Sequence, residues 1–163
     1  MSRKLKWGIL STGRIAGVFA KGLAASTTGE LVAVGSRNQA SADRFGEEFG
    51  LSRCYGSYEA LLADPEVEAV YIAVPHPFHA EWAIKAADAG KHILCEKPLT
   101  LNYPEAMAVV EAAVRNDVFL MEAFMYRCTP QTAKLVELIR EKAIGEVRLI
   151  QANFAFHGGW QPE

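Results

Sequence analysis

Four short stretches of this chain hold residues whose types and spacing could do chemistry. Ser11-Thr12-Gly13-Arg14-Ile15-Ala16 lies between an apolar run and a segment of helical spacing. It occupies the frame G-x-G-x-x-G/A, with serine where the first glycine usually stands. Gly13 has no Cβ, so a pyrophosphate can come up to the backbone there. The helix start that follows offers free N–H groups and the positive end of a dipole. Ala16 is small enough for close contact between helix and strand. Further along, Ser36-Arg37 pairs a hydroxyl with a guanidinium whose fork matches a phosphate. Pro75-His76-Pro77-Phe78-His79 places two histidines close together, and Cys95-Glu96-Lys97-Pro98 fixes an ammonium beside a carboxylate. A lysine held in place could polarise a substrate oxygen or lower the pKa of a neighbouring acid.

Each stretch also has a plainer explanation. An ordinary strand-to-helix turn accounts for Gly13, a solvated side chain for Arg37, and a surface ion pair for Glu96 with Lys97. The two histidines raise the question of a metal. His76 lies in a proline-fixed loop, whereas His79 falls in the first turn of a helix, and no cysteine is close in sequence. No metal is expected.

Location decides between these readings, and location follows from the elements. Lys6 to Leu10 reads as a strand, and Ile15, Val18, Phe19 and Leu23 as the inward stripe of the next helix. Glu30–Gly35 is a second strand, Asn38 caps a helix running to Gly50, and Arg53–Tyr55 is short enough for a sheet edge. Ser57 caps a brief helix. Ala69–Val74 is the continuous apolar run of a strand buried on both faces. His92–Cys95 and Val118–Met121 supply two more strands. A helix marked by Tyr103, Ala106, Met107, Val110, Ala113 and Val114 lies between them, and another with Leu135, Val136 and Ile139 follows. Strand and helix alternate, which predicts an α/β fold, a doubly wound parallel sheet of order 3-2-1-4-5-6 binding a nicotinamide dinucleotide.

In such a sheet ligands bind beyond the carboxyl ends of the strands, where all four stretches fall. After the second strand the acid that would hold the ribose hydroxyls of NAD is missing and Arg37 is present, so NADP is preferred over NAD. Val147–Phe156 is different in kind. It alternates Ile150, Ala152, Phe154 and Phe156 against Leu149, Gln151, Asn153 and Ala155, as a half-buried strand does. With no partner for its edge, it is expected to open a second α/β domain. The expected division is 1–144 and 145–163, with the chain the N-terminal part of a longer protein.

Composition bounds the partners. Of 163 residues half are apolar, and the formal net charge is −2. No basic block, no run near 18 apolar residues and no charged-then-apolar leader occurs, so nucleic acid, membrane spanning and secretion are disfavoured and a cytoplasmic setting is expected. Cys54, Cys95 and Cys128 have no CxxC spacing and are expected to be buried, reduced thiols.

Taken together, Trp7-Gly8-Ile9 before the turn, Tyr55-Gly56-Ser57-Tyr58, Cys95-Glu96-Lys97-Pro98, Phe119-Leu120-Met121-Glu122-Ala123, and Arg127 with Pro130 resemble the glucose–fructose oxidoreductase (Gfo/Idh/MocA) family. The similarity spans nearly the whole chain. It is greatest to the branch containing dimeric dihydrodiol dehydrogenases and NADP-dependent D-xylose dehydrogenases. The resemblance implies a Rossmann domain followed by an α/β domain that forms the substrate wall and commonly the oligomer interface. It implies Lys97 as a catalytic residue. Ser11, Thr12, Gly13, Arg14, Ile15, Ser36, Arg37, Pro75, His76, His79, Glu96, Lys97 and Arg127 would then lie at the cofactor. Ser11 departs from the fingerprint glycine, and His76 stands where many members have asparagine. The implied reaction is hydride transfer between NADP(H) and a sugar, polyol or cyclic diol, by an enzyme that is a homo-oligomer at full length. The general acid, a histidine or tyrosine, would lie beyond Glu163, so the chain alone is expected to bind cofactor without turnover. A competing class is a non-catalytic NADP(H) sensor, which needs no lysine at the nicotinamide end. A structural interaction module would have no reason to keep both Arg37 and Lys97 at strand ends.

Overall fold

A computed structural model describes residues 3–155 of the chain. Six strands, β1 (Leu5–Leu10), β2 (Gly29–Gly35), β3 (Arg53–Tyr55), β4 (Ala69–Ile72), β5 (His92–Cys95) and β6 (Leu120–Glu122), form one sheet of order β3-β2-β1-β4-β5-β6. All neighbouring strands are parallel, as the alternation predicts. The crossovers carry α1 (Arg14–Ala24), α2 (Gln39–Phe49), α3 (Tyr58–Leu62), α4 (His79–Asp88) and α5 (Tyr103–Arg115), and α6 (Pro130–Arg140) follows β6. Every residue of β4 is buried, as its unbroken apolar run requires.

Two cores fill the two faces of the sheet. On one, Leu10, Val70, Ile72 and Ile93 meet Leu61, Trp82, Ala83 and Val109. On the other, Ile9, Val34 and Tyr71 meet Ala16, Ala20 and Phe45. Local chemistry sets the helix ends. Asn38, Ser57, Asn102 and Thr129 cap α2, α3, α5 and α6 through their side chains. Gly50 and Gly90 leave their helices at φ 70°, a conformation costly for other residues.

Two helices are rotated relative to the sequence expectation. On α1 the fully inward residues are Ala16 and Ala20, with Phe19 packed beside them, while Ile15 and Val18 stay exposed. On α5 the buried residues are Val109, Ala112 and Ala113, and Tyr103, Met107, Val110 and Val114 lie on the outer face. The reason is the same for both: small side chains let a helix approach its neighbour closely, so alanine took the inner positions and larger apolar residues were left outside.

The chain divides into two compact units, residues 1–124 and 125–163. The helix α6 buries none of its residues. Residues 147–155 form no strand, because no partner offers a ladder among the described residues, and Leu149, Ile150 and Phe154 are exposed. The expected strand residue Phe156 lies outside the described residues. Cys95 is buried and Cys54 half-buried, both unbonded thiols, but Cys128 is exposed, contrary to expectation. Among the described residues no helix is long and apolar enough to cross a membrane.

The amino ends of the strands are closed by a polar network. Buried Asp64 accepts from Arg53 at 3.0 Å, from the Tyr55 hydroxyl at 2.9 Å and from the Glu66 N–H at 2.9 Å. Buried Lys91 donates to the carbonyls of Asp64 at 2.8 Å and Val67 at 2.7 Å. Burial lowers the Lys91 pKa. For Asp64 burial opposes the charge, but the Glu66 N–H, Tyr55 and Arg53 outweigh it and hold the carboxyl below its usual range. A depressed carboxyl stabilises the fold fully above the unfolded value, about pH 4, and that contribution is lost as pH falls through the folded value. Asp64→Asn is therefore expected to cost about 1–3 kcal/mol at pH 7. Urea midpoints of parent and variant should converge below about pH 4; a gap independent of pH would show that the charge is not what matters.

Candidate functional site

The opposite end of the sheet is open, and hydrogen bonds align the four stretches along it. Ser11 N–H donates to Gly35 O, Ala73 N–H to Leu10 O, Ser36 N–H to Tyr55 O and Glu96 N–H to Ile72 O. The chain segments leaving β1, β2, β4 and β5 thus stand side by side, each carrying predicted site residues.

The turn after β1 is built without its first glycine. Ser11 sits at φ 116°, a region that L-residues rarely adopt. Its Oγ accepts the Gly13 N–H at 3.2 Å, a local bond that a glycine could not supply. Gly13 itself has φ −74°, which any residue tolerates. A Cβ there would meet only Ser11 Oγ, at 3.5 Å, an ordinary contact. The fold gives no steric reason for glycine at position 13. Beyond it α1 has neither a side-chain cap nor an acid in its first turn, which leaves the helix start to an external anion. A cleft of about 360 Å³ opens here, lined by Thr12, Gly13, Arg14 and Lys21. Ile15 is exposed at the same helix start.

After β2, Ser36 is buried and its Oγ accepts the Asn38 N–H at 3.4 Å, whereas Arg37 is exposed. Arg37 walls a cavity of about 150 Å³ with Tyr58, Val74, Pro75, Phe78 and Trp82. Tyr58 and Trp82 meet edge-to-face, with ring centres 4.8 Å apart, and both line the cavity. Burial raises the Tyr58 pKa, and the Arg37 guanidinium beside it works the other way. The cavity carries one cation, Arg37, and one carboxylate, Glu81, among aromatic side chains.

Beyond β5 the Lys97 loop is anchored residue by residue. Glu96 accepts from the Tyr71 hydroxyl and from the Lys97 N–H. Burial, and then Glu96, push the Tyr71 phenol far above its usual pKa, so it remains a proton donor. Tyr71 is in turn stacked on Phe19, with ring centres 4.0 Å apart. Leu99 N–H donates to Glu122 at 2.8 Å and Leu101 N–H to Glu105 at 3.1 Å. His76 Nε2 lies 3.1 Å from Thr100 O. The Lys97 side chain is exposed and pairs with no carboxylate among the described residues; the Glu96 carboxylate is committed elsewhere, so the surface ion pair does not form. Burial raises the Cys95 thiol to about 12, so it is no nucleophile.

One expected site residue of the first unit, His79, faces inward, and another belongs to the second unit. His79 is only 2% exposed and both its ring nitrogens face backbone carbonyls, so it offers no polar atom to a ligand. Arg127 belongs to the second unit, on the exposed 3₁₀ turn Met125–Cys128. Among the described residues no group of three His, Cys, Asp or Glu side chains could hold a metal. Tyr71, Tyr58, Trp82 and Glu122 were not singled out by sequence; Tyr71 read only as one apolar position in a buried strand, and Glu122 only as part of a family motif.

Residues 5–124 match the family model described as the oxidoreductase family with an NAD-binding Rossmann fold, GFO_IDH_MocA. The chain belongs to the Gfo/Idh/MocA family. It is 40% identical over 152 residues to trans-1,2-dihydrobenzene-1,2-diol dehydrogenase of Danio rerio, covering 92% of this chain and 46% of that one. It is 46% identical over 127 residues to D-xylose 1-dehydrogenase (NADP(+)) 2 of Haloferax volcanii, covering 78% of this chain and 39% of the relative. A solved 3-ketoreductase from Actinomadura kijaniata in complex with NADP superposes with a TM-score of 0.82 at 37% identity, over 90% of this chain and 47% of that one. The chain spans about half the length of the curated relatives it matches. Within the Gfo/Idh/MocA family, the open strand ends described above belong to an NAD-binding Rossmann domain.

Proposed function

We propose that this chain binds NADP(H) and forms the cofactor half of an enzyme that exchanges hydride with a sugar, polyol or cyclic diol. The observation that carries the reading is Gly13, a glycine that neither backbone angle nor neighbouring atoms require, set before an uncapped helix. The donors of residues 13–16 and the cation of Arg14 would hold the pyrophosphate, and Arg37 with the Tyr58–Trp82 wall would hold the 2′-phosphate and adenine. The bound dinucleotide supplies the hydride acceptor or donor. Lys97 lies past β5, two strands from the turn, and its unpaired ammonium would steady a substrate oxygen as its proton leaves or arrives. The names of the relatives, a diol dehydrogenase and an NADP-linked xylose dehydrogenase, support the substrate class. The substrate wall and the general acid are assigned to the part of the relatives' length that this chain does not span.

Cofactor choice gives a direct test. NADPH is expected to bind more tightly than NADH, and Arg37→Ala should remove about tenfold or more of that preference, since a charged hydrogen bond contributes about 1.5–3 kcal/mol. Fluorescence titration of both nucleotides reads it. Equal affinities in the parent chain would overturn the assignment of Arg37.

A further inference from the structure

The cavity beside Arg37 carries two opposite charges that do not close on each other. Arg37 and Glu81 both line it, and no ion pair joins them among the described residues. Glu81 is held instead by Lys85, one turn further along α4, whose Nζ donates to Oε1 at 2.7 Å. Lys85 is fixed in turn by the Trp82 ring, whose centre lies 4.1 Å from Nζ, and by Glu59 Oε1 of α3 at 3.4 Å. A carboxylate has about four acceptor sites on its two oxygens, and Lys85 takes one of them. No other side chain donates to Glu81 among the described residues. A surface pair on a helix explains the contact with Lys85, but it gives no account of a carboxylate with an open oxygen on the wall of an aromatic cavity. We infer that Glu81 selects the base of the nucleotide, its free oxygen accepting from the 6-amino group of adenine while Arg37 holds the 2′-phosphate.

The inference rests on the cofactor reading and deepens it. The chemistry of the cavity asks for three features in one ligand. Arg37 needs an anion. Tyr58, Phe78 and Trp82 suit a flat ring. An ionised carboxylate accepts and cannot donate, so Glu81 needs an N–H or O–H group. Adenosine 2′-phosphate has the anion, the ring and the amine. A purine with a carbonyl at carbon 6 lacks the third and sets an acceptor oxygen against the carboxylate. A site that hydrogen-bonds an N–H rejects the analogue without it. The Glu81 side chain is 50% exposed, so water softens that rejection to about tenfold, well short of the roughly 10⁴-fold of a sealed site. Lys85 has a second effect here. Its ammonium offsets the Glu81 charge, so the carboxylate does not cancel the pull of Arg37 on a phosphate.

Fluorescence titration with NADPH and with its hypoxanthine analogue, in which a carbonyl replaces the 6-amino group, tests this. The parent chain should bind NADPH at least about tenfold more tightly than the analogue. In Glu81→Gln the side-chain amide can accept from an amine or donate to a carbonyl, so the two affinities should come within about threefold of each other. Glu81 is exposed, and the variant should keep the urea midpoint of the parent. Arg37→Ala should weaken both ligands by the same factor and preserve their ratio. An unchanged ratio in Glu81→Gln would overturn the assignment. A carboxylate acting only as a charge gives that outcome, because removing it strengthens both ligands equally. Equal affinities in the parent would also overturn it, and would leave NADPH binding itself in place. A chain that binds neither nucleotide removes the proposed function and the role of Glu81 together.

Discussion

Gly13→Val is expected to weaken NADPH binding by at least about 10²-fold while leaving the fold in place. The isopropyl group would stand where a pyrophosphate must reach the helix start. Holding the phosphate away from even one or two charge-assisted donors costs about 3 kcal/mol, which is about 10²-fold in affinity. The fold has little to lose, because a Cβ at position 13 meets only Ser11 Oγ at 3.5 Å and φ is −74°. The change at a helix cap accounts for about 1 kcal/mol of stability at most. Gly46 provides the contrast. A Cβ there would fall 2.2 Å from Cys54 Sγ, so Gly46→Ala should unfold the chain at lower urea while the folded fraction binds NADPH normally. Isothermal titration and urea melts of both variants separate a ligand-serving glycine from a packing one. A valine variant binding within threefold of the parent would remove Gly13 from the site.

The second large effect belongs to Lys97. On the proposed function, Lys97→Met in a protein that joins this chain to a substrate domain should reduce turnover by roughly 10²–10⁴-fold, the usual contribution of a positioned proton-transfer group, with NADPH affinity nearly unchanged. The loop should keep its shape in the variant, since only the Lys97 backbone N–H takes part in its anchoring. Stopped-flow binding and steady-state rates separate the two quantities. An unchanged turnover number would exclude Lys97 from catalysis, and a parallel loss of nucleotide binding would make it a cofactor ligand instead.

Much of this was legible in the chain. Strand order followed from alternation of elements, and the four chemical stretches were correctly placed at strand ends because each directly follows a strongly apolar run. The inward faces of α1 and α5 were misread for a physical reason. Hydrophobicity favours Ile15, Val18 and Met107, whereas close packing favours Ala16, Ala20 and Ala112, and hydrophobic periodicity weighs side chains by size. Residues 147–155 show the limit of alternation, which describes a strand's faces and says nothing of a partner for its backbone. His79 was legible only as a histidine near a strand end. That its ring faces two carbonyls depends on how the 98–100 loop folds back over α4, and no local pattern records that. Ser11 reads as a defect in a fingerprint until its hydroxyl is seen holding the Gly13 N–H.

The Lys97 loop is fixed by backbone groups and by side chains that lie elsewhere: Glu96, Glu122, Glu105, His76 and His79. The shape of the loop is therefore independent of the side chain it presents at position 97. Any residue that keeps the backbone N–H at this position leaves the scaffold from the same point and along the same bond. This makes position 97 an exchangeable socket, where arginine, histidine or glutamine could be installed to alter the chemistry at the end of β5 without redesigning the fold that supports it.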